Sequence, residues 1–210
     1  MNRRFFKQIS CTAYAAAVIV MATAAHAESA DSSQQASSRT VHFVGGLGVS
    51  FGGDKLASGT YSNGDSWTIR AGSGIALQAG IEVDVAPSWS VRTTVGWHEH
   101  STNAKNGEVK FQRHPLDLVG LYSVNAQWRV GAGVHRSLSP KLSCSGVVGN
   151  CSVSFSGSTG PVFVGQYQFG QPQDVWRMGL EASYTMENFR ANNGAKAKGD
   201  HLSLALVLRY

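Results

Sequence analysis

The closing stretch HLSLALVLRY constrains the fold more tightly than any other part of the sequence. Leu202, Leu204, Leu206, Leu208 and Tyr210 alternate without a break with His201, Ser203, Ala205, Val207 and Arg209. A repeat of two puts the four leucines and the tyrosine on one face of a strand. Such a face needs sheet neighbours and then either a core or lipid.

The same alternation recurs seven times upstream. It predicts strands over residues 41–51, 74–85, 89–98, 114–122, 127–135, 162–169 and 175–185, with the closing strand as the eighth. Pro87-Ser88 and residues 124–126 and 170–174 are short turns. Residues 53–70, 99–112, 136–160 and 186–199 are long, polar and rich in Gly, Ser and Asn. Three short turns at one end and four long loops at the other describe an all-β, eight-stranded antiparallel up-and-down barrel. Pro115 sits where the fourth strand begins and marks either a bulge or a late strand start.

The beginning of the sequence suggests the compartment. Arg3, Arg4 and Lys7 precede an apolar run over residues 11–25, and Ala25-His26-Ala27 is an A-x-A cleavage site. The expected organisation is a cleaved signal peptide over 1–27, a disordered polar lead-in over 28–40 and the barrel over 41–210. Loss of the three basic residues lowers the net charge from +5 to +2. No basic stripe is left, so nucleic acid is not an expected partner. Cys144 and Cys151, in CSGVVGNC, are expected to be bridged in an oxidising compartment. A metal pair would want His or more Cys within that loop, which has none. Beyond the signal no apolar run is long enough for a membrane helix, so only a closed barrel could hold this chain in lipid.

Periodicity alone does not separate a membrane barrel from a soluble one, but the aromatics do. Trp89 and Trp97 bracket one strand, and Trp176 and Tyr184 another. With a strand tilt near 40°, each pair spans roughly 20 Å along the barrel axis, close to the apolar band of an outer-membrane barrel. Trp89, Tyr122, Trp128, Phe169, Trp176 and Tyr210 gather at the short-turn end, as an interfacial belt would. The opposite face carries Glu82, Asp84, Arg92, Asp117, Arg129, Arg177, Glu181 and Arg209. Mixed signs suggest a lumen packed by internal ion pairs, with a water-filled pore as the alternative.

An aromatic terminus preceded by apolar residues at every second position resembles the closing strand of bacterial outer-membrane β-barrels. Residues 41–210 resemble the small eight-stranded members, the outer-membrane protein A/X-like barrels. The resemblance implies a transmembrane barrel in a Gram-negative outer membrane, with polar interior, lipid-facing apolar exterior and both termini periplasmic. It implies a lipid bilayer and lipopolysaccharide as surroundings. It also implies barrel-assembly machinery that reads Leu202, Leu204, Leu206, Leu208 and Tyr210.

Catalytic signals are thin. His135-Arg136-Ser137 resembles the His-x-Ser of outer-membrane lipid A deacylases, in which Ser is the nucleophile, His its base and a Glu orients the His. Leu138 stands where that family has Asn, no Glu lies between Glu108 and Glu181, and parity turns His135 into the lumen. His98 and His100 share a strand face and could bind a metal if His114 or His135 joined them, or else are solvated rim histidines. No cofactor is called for. The long loops carry a small excess of Lys and Arg suited to anionic headgroups, or to an ordinary solvated surface. The expectation is a structural or surface-interaction barrel, serving adhesion or envelope integrity through its loops, with no identified receptor. The alternative is a narrow, porin-like transporter for small or hydrophobic molecules. A lipid A-modifying enzyme comes third.

Overall fold

The computed structural model describes residues 40–60, 64–104, 107–146 and 149–210. The expected signal peptide, and the lead-in up to residue 39, lie outside the described residues. The chain forms β1 (Val41–Gly52), β2 (Lys55–Thr60), β3 (Ser66–Arg70), β4 (Gly74–Ala86), β5 (Trp89–Ala104), β6 (Gly107–Ser123) and β7 (Trp128–Gly146). It continues through β8 (Cys151–Gly157), β9 (Thr159–Gln168), β10 (Arg177–Thr185), β11 (Asn188–Ala191), β12 (Lys196–Lys198) and β13 (His201–Arg209).

Eight of these close into a ring. The order is β1-β4-β5-β6-β7-β9-β10-β13, and β13 returns to β1. Every neighbouring pair is antiparallel, and β13 lies between β1 and β10. The closing alternation thus finds a partner on each side. Leu206, for example, faces Leu47 of β1 and Leu180 of β10. Closure removes both sheet edges, the condition for placing strands in lipid.

The outward face is apolar all the way round. Phe43, Leu47, Ile75, Leu77, Val95, Leu118, Val130, Val134, Phe163, Leu180, Leu204 and Leu206 are each between 45 and 65% exposed. A water-soluble barrel would bury this face, so the exterior of this one is a lipid surface. Trp89 meets Tyr122 at 5.0 Å between ring centroids, Trp128 meets Tyr167 edge-on at 5.0 Å and Trp176 meets Tyr210 at 4.3 Å, all at the short-turn end.

Three strands are longer than the sequence suggests. β5, β6 and β7 run 16, 17 and 19 residues, against the 9–11 or so needed to span a bilayer. Their upper halves rise beyond the lipid belt and carry what looked like irregular loop. β8 pairs with the upper end of β7, β11 pairs with β8, and β12 pairs with β11. β2 and β3 form a separate hairpin. β10, conversely, starts at Arg177 rather than 175.

Two irregularities explain Pro115. The β5–β6 pairing lapses between Val95↔Leu116 and His98↔Arg113 with its register unchanged, where Pro115 has no N–H to give, and the β6–β7 register shifts between Gln112 and His114. Ser139 adopts φ 50°, in the left-handed region, beside Pro140. The extra residue lies on β7, so the bulge is in the fifth barrel strand, across the sheet from Pro115, and β6 runs through Pro115 without a late start.

The seam between β1 and β13 generates a prediction. Inserting one residue between Leu204 and Ala205 turns half of the leucine face into the charged lumen. The yield of heat-modifiable, folded barrel should fall by about tenfold or more relative to an insertion at Gly194 in the β11–β12 turn. Gel migration of unheated samples measures it.

Candidate functional site

The inward face builds three storeys. At the short-turn end lies a charge cluster that brings together all the sequence-predicted lumen residues except Asp117, which lies higher. Arg129 donates Nη2–H to Glu82 Oε1 at 2.7 Å, and Arg209 Nε lies 3.0 Å from the same oxygen. Arg209 also donates to Asp84 at 3.1 Å, and His42, missed in the sequence, lies 3.0 Å from Asp84. Arg92 donates to Glu181 at 2.7 Å with both side chains buried. Ser90 and Gln166 add partners to Arg129. Arg177 donates to the Ala126 carbonyl at 2.6 Å. Glu82 sits directly across the β4–β5 ladder from Arg92, so alternate strands supply opposite signs at one height.

The middle storey holds a cavity of about 70 Å³ lined by Thr94, His98, Arg113, Asp117, His135 and His201. That is room for a few waters and no organic ligand. His98 Nε2 and Ser50 Oγ are 2.7 Å apart. The His98 and His201 rings lie 6.2 Å apart, and His135 and His201 6.0 Å.

At the top of this storey the His-x-Ser motif acquires acidic partners. Asp117 stands opposite His135 in the β6–β7 register, its Oδ1 2.6 Å from His135 Nδ1. His135 Nε2 is 3.4 Å from Ser137 Oγ. Ser137, however, donates its hydroxyl to Glu187 Oε2 at 2.9 Å and its backbone N–H to Glu187 Oε1 at 3.0 Å. Arg113 completes the group, donating to Glu187 at 2.7 Å with both side chains fully buried. The deacylase resemblance calls for a Glu to orient the His, and none lies between Glu108 and Glu181. The acids come instead from Asp117 on the preceding strand and from Glu187, 50 residues on. Burial pushes the Glu187 carboxyl up, but hydrogen bonding from His135 and the charge of Arg113 pull it further down, below its ordinary value. It is therefore an ionised acceptor that holds the serine proton. A serine nucleophile needs that proton on its base and an open path to an electrophile. Ser137 is 2% exposed and lies beneath the third storey.

That storey is an apolar cap. Ile69, Ala71, Val109, Phe111, Leu142 and Phe189 are buried together, with Leu56, Trp67, Val153 and Phe155 packed around them. Phe111, Phe155 and Phe189 meet edge to face at 5.6–6.4 Å. The Arg113 guanidinium lies under the Phe189 ring at 5.7 Å. Cys144 and Cys151 are bridged where β7 meets β8. The cap is the main element missed in the sequence. Its signals were apolar pairs two apart within polar segments: Trp67 and Ile69, Val109 and Phe111, Val153 and Phe155.

The His98/His100 pair does not assemble into a metal centre. His98 is buried in the lumen, while His100 accepts the Arg70 N–H at 3.1 Å on the surface. Among the described residues, no group of three His, Cys, Asp or Glu is placed to hold a metal.

Removing one partner of a buried pair strands the other. Arg92→Met should destabilise the barrel by about 3–5 kcal/mol, and Arg92→Met with Glu181→Leu should recover most of that loss. Urea unfolding in lipid vesicles measures both.

No family model matches the chain, and no curated protein does. Among solved structures it is similar to Ail, the attachment invasion locus protein of Yersinia pestis, in complex with the heparin analogue sucrose octasulfate. Identity is 12%, over 81% of this chain and 96% of that one, with a TM-score of 0.49. It is similar to neisserial surface protein A at 10% identity, over 81% and 97% of the two chains, TM-score 0.44. It is similar to the outer membrane protein AlkL at 16% identity, over 88% and 92%, TM-score 0.37. The closed ring of eight antiparallel strands and its apolar exterior make this chain a small eight-stranded membrane barrel.

Proposed function

We propose that the protein is a surface-interaction barrel of the Gram-negative outer membrane, with termini periplasmic and the cap outside, and that its raised sheet engages anionic polysaccharide. The observation that carries this is the outward face of the extension. β7, β8, β11 and β12 contain no Asp or Glu at all. Their exposed side chains include Lys141, Arg190, Lys196 and Lys198, together with Ser152, Ser154 and Ser156. Register sets Lys141 opposite Ser154, Ser156 opposite Arg190, and Arg190 opposite Lys196. Two cations directly opposite each other destabilise a sheet unless something anionic sits over them. None of these four cations forms an ion pair among the described residues, whereas Lys110 on β6 is answered by Glu99 and Glu108 at 3.6 and 3.3 Å.

The interior supports the same reading. Ion pairs fill the lower lumen and the apolar cap covers the upper end, so the charged lumen serves stability rather than passage. Arg136, exposed at the height of Leu116, is suited to lipopolysaccharide phosphates at the outer interface. The reading is non-enzymatic, since the His135–Ser137 pair is sealed under the cap.

Nanodisc-embedded protein should bind heparin, used as the polyanion probe, with an affinity that falls as salt rises. Arg190→Ser with Lys196→Ser should weaken it about tenfold while leaving the fold as stable or more so. Unchanged binding by that variant, or a discrete conductance in planar bilayers, would favour the transporter reading.

A further inference from the structure

The cationic face of the raised sheet stops at its edge strand, β12, and the β2–β3 hairpin beside that edge repeats the same pattern. Asp54 makes the join. Its N–H donates to the Lys198 carbonyl at 2.8 Å, and its Oδ2 accepts the Lys198 N–H at 2.7 Å. β2 starts at the next residue, Lys55.

On the hairpin, register sets Lys55 directly opposite Arg70. Both are exposed, and neither forms an ion pair among the described residues. Like charges directly opposite each other destabilise a sheet. They are hardest to carry in a two-stranded hairpin, which has little stability of its own. Local geometry nevertheless holds them in place. The β2–β3 register shifts between Lys55 and Ala57, a bulge that lets both Leu56 and Ala57 pack against the apolar cap while Lys55 stays exposed. Arg70 donates Nη1–H to the Gly53 carbonyl at 3.2 Å and its backbone N–H to His100 Nδ1 at 3.1 Å. Its neighbour Ile69 is fully buried in the cap. The carboxylate at the join, that of Asp54, is engaged by the Lys198 N–H.

Two like-charged pairs, Arg190 with Lys196 and Lys55 with Arg70, therefore flank Lys198. Counted in strand spacings, their midpoints lie on the order of 10 Å apart across the strands. A compact anion covers one pair only. An extended chain with charges at intervals covers both, and tying two weak contacts together raises affinity well beyond either. Resting on the surface reading above, we propose that Lys55 and Arg70 form a second anion subsite, and that the ligand is a linear sulfated or carboxylated polysaccharide that crosses Lys198 to engage both pairs. Charge rather than stacking does the recognising: the exposed side chains of β2, β3, β8, β11 and β12 include no aromatic ring on which a neutral sugar could lie.

The probes are a heparin disaccharide and a heparin octasaccharide, titrated into the nanodisc-embedded protein at constant salt. The octasaccharide should bind at least about tenfold more tightly than the disaccharide. Lys55→Gln relieves the repulsion at Arg70, so the hairpin stays as stable or more so. It should weaken the octasaccharide about fivefold or more and leave the disaccharide within about twofold. Lys110→Gln removes the same charge from β6 and should leave octasaccharide binding within about twofold, which separates a subsite from net charge. Heat-modifiable migration of each variant confirms the folded barrel. Failure of both heparin probes to bind overturns this inference together with the surface reading. Octasaccharide binding that is weakened by Arg190→Ser with Lys196→Ser but not by Lys55→Gln overturns this inference alone. So does a disaccharide that binds as tightly as the octasaccharide, or a Lys110→Gln variant weakened as much as Lys55→Gln.

Discussion

From Val44↔Arg209 to Gly52↔His201, β1 and β13 are joined residue by residue. This seam unites the first and last strands of the ring, and everything else depends on it. In hydrocarbon an unpaired backbone N–H or C=O has no water to turn to, so an open sheet of these strands could not stay there. The seam is also where the side-chain pattern is cleanest, which fixes its register: a slip by one residue would exchange leucines for the inward His201, Ser203 and Arg209. Tyr210 continues the pairing, exchanging two backbone hydrogen bonds with Phe43 at 2.8 and 2.9 Å.

Once the ring is closed, its two faces obey opposite rules. Outside, apolar side chains meet lipid. Inside, eight strands leave a space that side chains can fill, and here they fill it with charges in pairs. Buried pairs of this kind contribute little net stability when intact but make a mismatched interior costly. They act as registry marks, holding β4, β5, β7, β10 and β13 at fixed heights. Above the lipid the rules reverse. In β6 the apolar residues Leu116 and Leu118 face out, yet Val109 and Phe111, higher on the same strand, face in. β11 likewise turns Phe189 and Ala191 inward, above a β10 whose Met178 and Leu180 face lipid. The extension is a small water-soluble sheet grown on top of a membrane barrel, and Arg113 and Glu187 mark the junction.

This inversion explains what could be read in the sequence and what could not. Within the lipid, one solvent imposes one rule, and period-two alternation located every barrel strand and sorted Glu82, Arg92, Arg129 and Glu181 to the lumen. Above it, the apolar stripe changes sides while Ser, Gly and Lys supply the other face. Residues such as 107–112 therefore look like polar loop, although β6 runs straight through them. The bulge at Ser139 hides the upper half of β7 further, because it shifts the phase from odd to even inward positions. The acids around Ser137 were obscured for a different reason. Asp117 and Glu187 are near only through strand pairing and loop closure, and neither has a local signature.

The central claim is that one barrel meets two solvents, lipid on its girdle and water around its cap. Single-tryptophan variants in vesicles containing lipids brominated along the acyl chain test it directly. Trp128 and Trp176 project outward at 52 and 59% exposure, whereas Trp67 packs against the apolar cap. A protein retaining only Trp128 or only Trp176 should be quenched strongly by the brominated chains, and one retaining only Trp67 should not. Equal quenching of all three, or ready quenching of Trp128 and Trp176 by aqueous acrylamide instead of by lipid, would contradict the account.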